Sequence, residues 1–139
     1  MTEASAAVPA DLFDFRTVSD VSSGDMVVKL PGGQPTTMVI TLAGPESPDR
    51  KARAFALMRR KRAEMKRTGE MPLADPEDDY RDETAELVAS TLGWTGSTVP
   101  YSPAAAQALY ADPARAWLRL QVREALNRRE LFTQRSGGA

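Results

Sequence analysis

Four times in the second two thirds of the chain a serine or aspartate stands directly before a proline: Ser47-Pro48, Asp75-Pro76, Ser102-Pro103 and Asp112-Pro113. Each pair is a helix start. The Ser or Asp side chain accepts from the free amides of a first turn, and proline at the first helical position loses no hydrogen bond. The punctuation predicts helices over 48–68, 76–92, 103–110 and 113–133, with Gly69 and Gly93 as stops for the first two. Upstream the pattern is different. "MVVKL" and "TTMVITL" are β-branched runs on either side of "PGGQP", which predicts a β-hairpin over 26–43, with Pro31 and Pro35 confining the ladder to the strand bodies.

The expected fold is therefore α+β and mostly α-helical, an N-terminal β-hairpin followed by about four helices, in a single globular domain over 26–134. The second helix presents Tyr80, Thr84, Leu87, Val88, Thr91 and Leu92 on one face. The fourth presents Leu118, Val122, Ala125, Leu126 and Phe132, widened by Trp117 and Leu120. These two faces should form the core, with Trp94 folded back over the end of the second helix as the apolar contact of its C-terminal cap. Residues 1–25 and 135–139 read as flexible segments, because "MTEASAAVPA" and "RSGGA" have too little to bury to offset the entropy of ordering. "DLFDFRTV" alternates Phe13 and Phe15 with polar neighbours, as a short edge strand or a segment that orders on a partner.

The residue inventory narrows the chemistry. With neither cysteine nor histidine among 139 residues, there is no disulfide, no thiolate nucleophile, no imidazole base and no sulfur-built zinc site. No serine has a lysine three residues on, and "LPGGQP" lacks the lysine and the strand-to-helix context of a phosphate loop. The chain is expected to be no enzyme and to carry no cofactor. The acidic run "DPEDDYRDE" gathers carboxylates, but it has no glycine-centred loop, and Asp75, Glu77 and Asp78 are accounted for as first-turn acids, so no metal site is assigned. No apolar run is long enough to span a bilayer and no leader pattern opens the chain, which predicts a soluble cytoplasmic protein.

The most polarised stretch is "RKARAFALMRRKRAEMKR", residues 50–67, with nine Lys/Arg against Glu64. Such a run suits phosphates. From Glu70 to Glu86, however, eight carboxylates stand against Arg81, and the short link between the runs predicts an antiparallel, salt-bridged helical pair in which much of the field cancels. Nucleic acid is accordingly disfavoured as the partner. Inside the run, Phe55, Met58 and Met65 form a narrow apolar seam, the mark of a projecting helix that finishes its burial on another molecule.

Two stretches carry a resemblance. "TTMVITLAGPESPDRKARAF" is a strand running into Ala43-Gly44-Pro45 and then a proline-started basic helix. About fifty residues later, "LGWTGSTVPYSPAAAQALYADPARAWLRLQVREALNRRELFTQRS" holds a Gly-Trp, an aromatic-Ser helix start, an A-x-x-L-Y-x-D-P link, a Trp-Leu pair and a late Phe before basic and small residues. Over residues 26 to 136 this order of motifs resembles the tail assembly chaperones of long-tailed bacteriophages. The resemblance implies a non-catalytic role in the host cytoplasm: binding the tape measure protein, assisting recruitment of the tail tube protein, and absence from the finished virion. It further implies a longer frameshifted product in many relatives. Residues 1–25 extend beyond the shared pattern, so the role of Phe13 and Phe15 stays open. The expected partner-binding residues are Phe55, Met58, Arg59, Arg62, Met65 and Lys66, together with Trp117, and self-association is compatible with the same seams. Two other classes stay open: a small virion structural or connector protein, and a nucleic-acid-binding regulator that uses residues 50–67.

Overall fold

Each of the four Ser/Asp-Pro pairs starts a helical segment in the computed structural model of the chain, which describes residues 11–71, 73 and 75–136. Helix α1 spans Pro48–Thr68, α2 Pro76–Ser90 and α3 Pro103–Ala111. The carboxylate of Asp75 accepts from Glu77 N at 3.0 Å and the hydroxyl of Ser102 from Ala105 N at 3.0 Å, each satisfying one free first-turn donor. Ser47 turns the chain with extended backbone but makes no side-chain cap bond. Gly69 ends α1 in the left-handed conformation (φ 76°), its amide bonded to Met65 O. The expected flexible ends at 1–10 and 137–139 lie outside the described residues.

The fold is mixed α and β. Strands β1 (Val18–Asp20), β2 (Ser23–Lys29), β3 (Pro35–Ala43), β4 (Thr91–Thr95) and β5 (Thr133–Arg135) form two antiparallel sheets among the described residues: a three-stranded one in the order β2-β3-β4, and the pair β1-β5. The hairpin is present, closed by Leu30 N to Gln34 O (2.8 Å) and Gly33 N to Leu30 O (2.7 Å). Alternation puts Met26 and Val28 of β2 and Ile40 and Leu42 of β3 on the inner face. Against it lie α4 (Ala116–Leu126), with Leu118, Val122, Ala125 and Leu126 inward at helical spacing, and Leu87, Ala106, Tyr110 and Phe132 from its neighbours.

Four expectations are corrected. The second helix does not reach residue 92. It ends at Ser90, and "TLGWT" becomes β4, paired with β3 (Ile40↔Trp94, Thr41↔Gly93). Thr91 makes the switch with extended backbone, its hydroxyl reaching Leu87 O (2.8 Å) and the Tyr110 hydroxyl (2.7 Å). Trp94 is therefore a core residue of a strand, not the cap of a helix, and its indole N–H donates to Val99 O at 2.8 Å. Gly96 ends the strand at φ 74°, where a Cβ would meet Thr37 O at 1.8 Å, so only glycine fits.

The fourth helix is broken as well. A 3-10 turn Pro113–Arg115 precedes α4, Asn127 ends it, and a second 3-10 turn, Arg129–Phe132, leads into β5. Helical spacing would have kept Phe132 on the same face, but its backbone is claimed elsewhere, Phe132 O accepting from Val21 N at 2.8 Å. That bond also corrects the N-terminal boundary. Residues 18–20 pair with 133–135, and β2 begins at Ser23, so much of the stretch expected to be flexible is part of the fold.

Arg119 of α4 is buried with all of its donors engaged. Its five N–H groups reach Glu83 Oε1 from Nε (3.1 Å) and Nη2 (2.8 Å), Thr84 Oγ1 (2.6 Å) and Tyr110 O (2.9 Å) from Nη1, and Tyr80 O (3.2 Å) from Nη2. The guanidinium also lies 3.8 Å from the Tyr80 ring centroid. Removing it should cost about 3 kcal/mol in Arg119→Ala. Lysine should not rescue, because a point charge cannot reproduce the planar fork. Urea unfolding of the two variants checks this.

The Tyr110 ring is fully buried, and burial pushes its hydroxyl up to about 12, against a partial lowering by the bond to Thr91. The unfolded phenol ionises near 10 while the folded one keeps its proton, so this contribution is intact below pH 10 and is lost as pH rises towards 12. The loss should reach about 2 kcal/mol by pH 12. Alkaline unfolding of wild type beside Tyr110→Phe measures it, and the phenylalanine variant should show the shallower decline.

Candidate partner-binding surface

The basic helix α1 is fixed at its root and free beyond it. Arg50 bridges two elements, with Nη1 donating to Ala43 O at the end of β3 (3.0 Å) and Nη2 to Leu126 O at the end of α4 (2.8 Å), beside the Phe132 ring. Burial holds its guanidinium below the ordinary arginine value, partly countered by the Glu86 carboxylate. Arg53 grips Glu86 with two bonds (2.9 and 3.2 Å) and Ser90 Oγ at 3.0 Å, while Ser90 donates back to Glu86 at 2.7 Å. On the other flank Lys51 pairs with Glu46 at 2.8 Å, which holds that carboxyl below its usual range. Arg129 bridges Glu46 (3.5 Å) and Asp20 (3.1 Å).

Beyond Arg53 the helix stands clear. No residue of α1 is buried, and from Ala54 to Thr68 all are exposed except half-buried Glu64. Phe55 is 51% exposed, Met58 58% and Met65 46%. At roughly 100° per residue, Phe55, Met58, Arg62 and Met65 share one stripe, turned about 90° from the Arg50, Ala54 and Leu57 side that faces α2. Arg59 and Lys66 border that stripe. The structure thus brings together six of the seven expected residues on one solvent-facing side. Trp117 is not among them: it is half-buried at the start of α4, lining a separate cavity with Met38 and Trp94.

The expected salt-bridged hairpin exists only at the root. Among the described residues Arg53–Glu86 is the one ion pair between α1 and α2, and around it the helices leave an open cleft of about 700 Å³ floored by Ala54, Leu57, Ala85 and Ala89. Arg59, Arg60, Lys61, Arg62 and Lys66 make no ion pair among the described residues, whereas Arg67 pairs with Glu64 within its own helix. Three of the neighbouring carboxylates are used elsewhere. Glu83 serves Arg119 and Arg123, Asp78 pairs with Arg81, and Asp75 caps its helix. Sequence reasoning missed the anchoring roles of Arg50 and Ser90, which depend on elements far along the chain. A half-hidden signal existed for Arg50 and Arg53, since both lie on the side of α1 away from the apolar seam.

Comparison of the chain with protein-family models, curated proteins and solved structures finds no match. Among the described residues no helix is long and apolar enough to cross a membrane.

Anchor and seam should separate cleanly in stability measurements. Arg50→Ala strands two carbonyls and should cost about 2 kcal/mol, while Phe55→Ser and Met58→Ser, at exposed positions, should stay within about 0.5 kcal/mol of wild type. Thermal and urea melts of the three variants check the contrast.

Proposed function

We propose that the chain is a phage tail assembly chaperone: a non-catalytic protein of the host cytoplasm that binds the tape measure protein, assists tail tube assembly, and leaves before the virion is finished. The observation that carries this reading is α1, a helix with no buried residue that presents Phe55, Met58 and Met65 to solvent between arginines and lysines that make no ion pair among the described residues. An elongated, amphipathic helical client needs such a surface. Methionine adapts to varied side chains, the arginine stems extend the apolar contact, and their heads select acidic neighbours. The order of sequence motifs from residue 26 to residue 136 supports the same reading.

The basic run also suits nucleic acid, and one experiment separates the two partners. Co-expression with a tape measure protein from the same genome should give a complex that survives purification. Phe55→Asp with Met58→Asp should abolish capture while the variant keeps its fold. Undiminished capture by the folded variant overturns the assignment. So does tight, salt-sensitive binding to DNA or RNA in place of the protein partner, read as a steep loss of affinity with rising salt.

A further inference from the structure

Away from α1, a cavity of about 490 Å³ opens between the start of β3, the loop after β4 and the α3–α4 junction, walled by Met38, Trp94, Ala108, Leu109, Trp117 and Leu118. That volume falls in the range of about 300 to 1,000 Å³ typical of small-molecule sites. Its walls are fixed before any ligand arrives. Thr37 Oγ1 donates to Gly96 O at 2.8 Å, the Trp94 indole N–H donates to Val99 O at 2.8 Å, and the Trp94 and Tyr101 rings meet edge to face at 5.1 Å. A site held open in this way does not have to be ordered by the molecule that enters it.

The polar groups that line this cavity are mostly donors in want of an acceptor. Arg115 has a 3.3 Å bond from Nη1 to Ala114 O and a loose 4.0 Å pair with Asp112, and its Nε and Nη2 meet no acceptor among the described residues. The Trp117 indole N–H likewise has no acceptor among them, whereas that of Trp94 is engaged by Val99 O. Ser97 Oγ accepts from Val99 N at 3.1 Å and keeps its own proton to donate. Against these stands one carboxylate, Asp112, with Oδ1 committed to Ala114 N at 2.9 Å as the cap of the turn before α4. At 4.0 Å it leaves Arg115 free to turn to a closer partner. An apolar body with an acceptor head suits such a site, and a carboxylate head suits it best, because a guanidinium holds that group with two parallel bonds.

We infer that this cavity binds a small amphiphile, an apolar chain or ring carrying a carboxylate, with the apolar part against Trp94, Leu109 and Trp117 and the head on Arg115. A cavity of about 150 Å³ holds one six-carbon ring, so at about 25 Å³ per carbon a ten-carbon chain takes about 250 Å³ and leaves room for the head and its water. The site uses neither α1 nor its seam, and it stands or falls independently of the tape measure reading.

The chain has two tryptophans and both line the cavity, so its own fluorescence reports occupancy. Titration of the full chain with decanoate should shift the emission saturably, with a dissociation constant on the order of 100 µM. The ω-bromo analogue should quench it, because bromine quenches an indole that it touches. Decanol should bind about tenfold more weakly than decanoate, and decyltrimethylammonium more weakly still. Arg115→Gln should erase the preference for decanoate over decanol while leaving decanol binding unchanged, which a merely structural role for Arg115 would not produce. Ala108→Phe, which narrows the cavity from an exposed helical position, should weaken both ligands about tenfold. The inference is overturned if decanoate fails to bind at about 1 mM, if decanol or the cationic amphiphile binds as tightly as decanoate, if folded Arg115→Gln keeps the full preference, or if folded Ala108→Phe binds like wild type.

Discussion

The arrangement of the helices depends on one buried guanidinium. Taking Arg119 out of water costs several kcal/mol before any partner is counted, and the chain recovers this only because every N–H of the group meets an acceptor. Those acceptors come from two helices: the side chains of Glu83 and Thr84 and the carbonyl of Tyr80 on α2, and the carbonyl of Tyr110 on α3, all read from α4. A planar, five-donor fork can satisfy them together only if the three helices hold one mutual orientation. Tyr110 extends the constraint to the sheet, since its hydroxyl meets Thr91 where α2 hands over to β4. Hydrophobic burial supplies the driving force here, but Leu118, Val122 and Leu126 would pack in more than one register. Arg119 selects among them.

The same economy of charge explains why α1 projects. Adjacency of a basic and an acidic run suggests that they neutralise each other, yet two of the three α2 carboxylates that form ion pairs among the described residues turn to α4 or along their own helix. Glu83 turns to Arg119, Glu86 to Arg53, and Asp78 to Arg81. Only Glu86 reaches across to α1, and it does so at the root, where Ser90 supports it. Beside that pair Ala85 and Ala89 are too short to draw α1 down onto α2, so the cleft stays open. Arg50 clamps the base to Ala43 and Leu126, which fixes the direction of the helix without needing contacts along its length.

Much of this was legible in the residues, and the failures have a common cause. Local chemistry placed the helix starts, because a Ser/Asp-Pro pair acts on its own first turn. It also placed the hairpin, and it marked α1 as poorly buried from the spacing of Phe55, Met58 and Met65. What it missed depends on partners distant in sequence. Thr91 and Leu92 continue the helical face of α2, and only β3 as a neighbour converts them to strand. Phe132 likewise sits at a helical position relative to Leu118, and only Val21 and the β1–β5 ladder pull its backbone out of the helix. Trp117 looked like one more exposed apolar residue, but the cavity that it lines is assembled from Met38 and Trp94, which no spacing rule links to it.

The exposure of Phe55, Met58 and Met65 carries its own argument. Leaving each about half in water forgoes on the order of 1 kcal/mol of burial, a noticeable fraction of the stability of a domain this size. Closing the cleft would recover part of it, and a larger residue at Ala85 or Ala89 is a simple route. The chain instead keeps small residues on α2 and places Arg62 in the middle of the apolar stripe, where it prevents the seam from collapsing onto a purely apolar surface. A seam kept open and interrupted by a cation favours a partner that is apolar and acidic in register. That is a more selective demand than hydrophobicity alone, and it is why Arg62, no less than Phe55, should decide what α1 accepts.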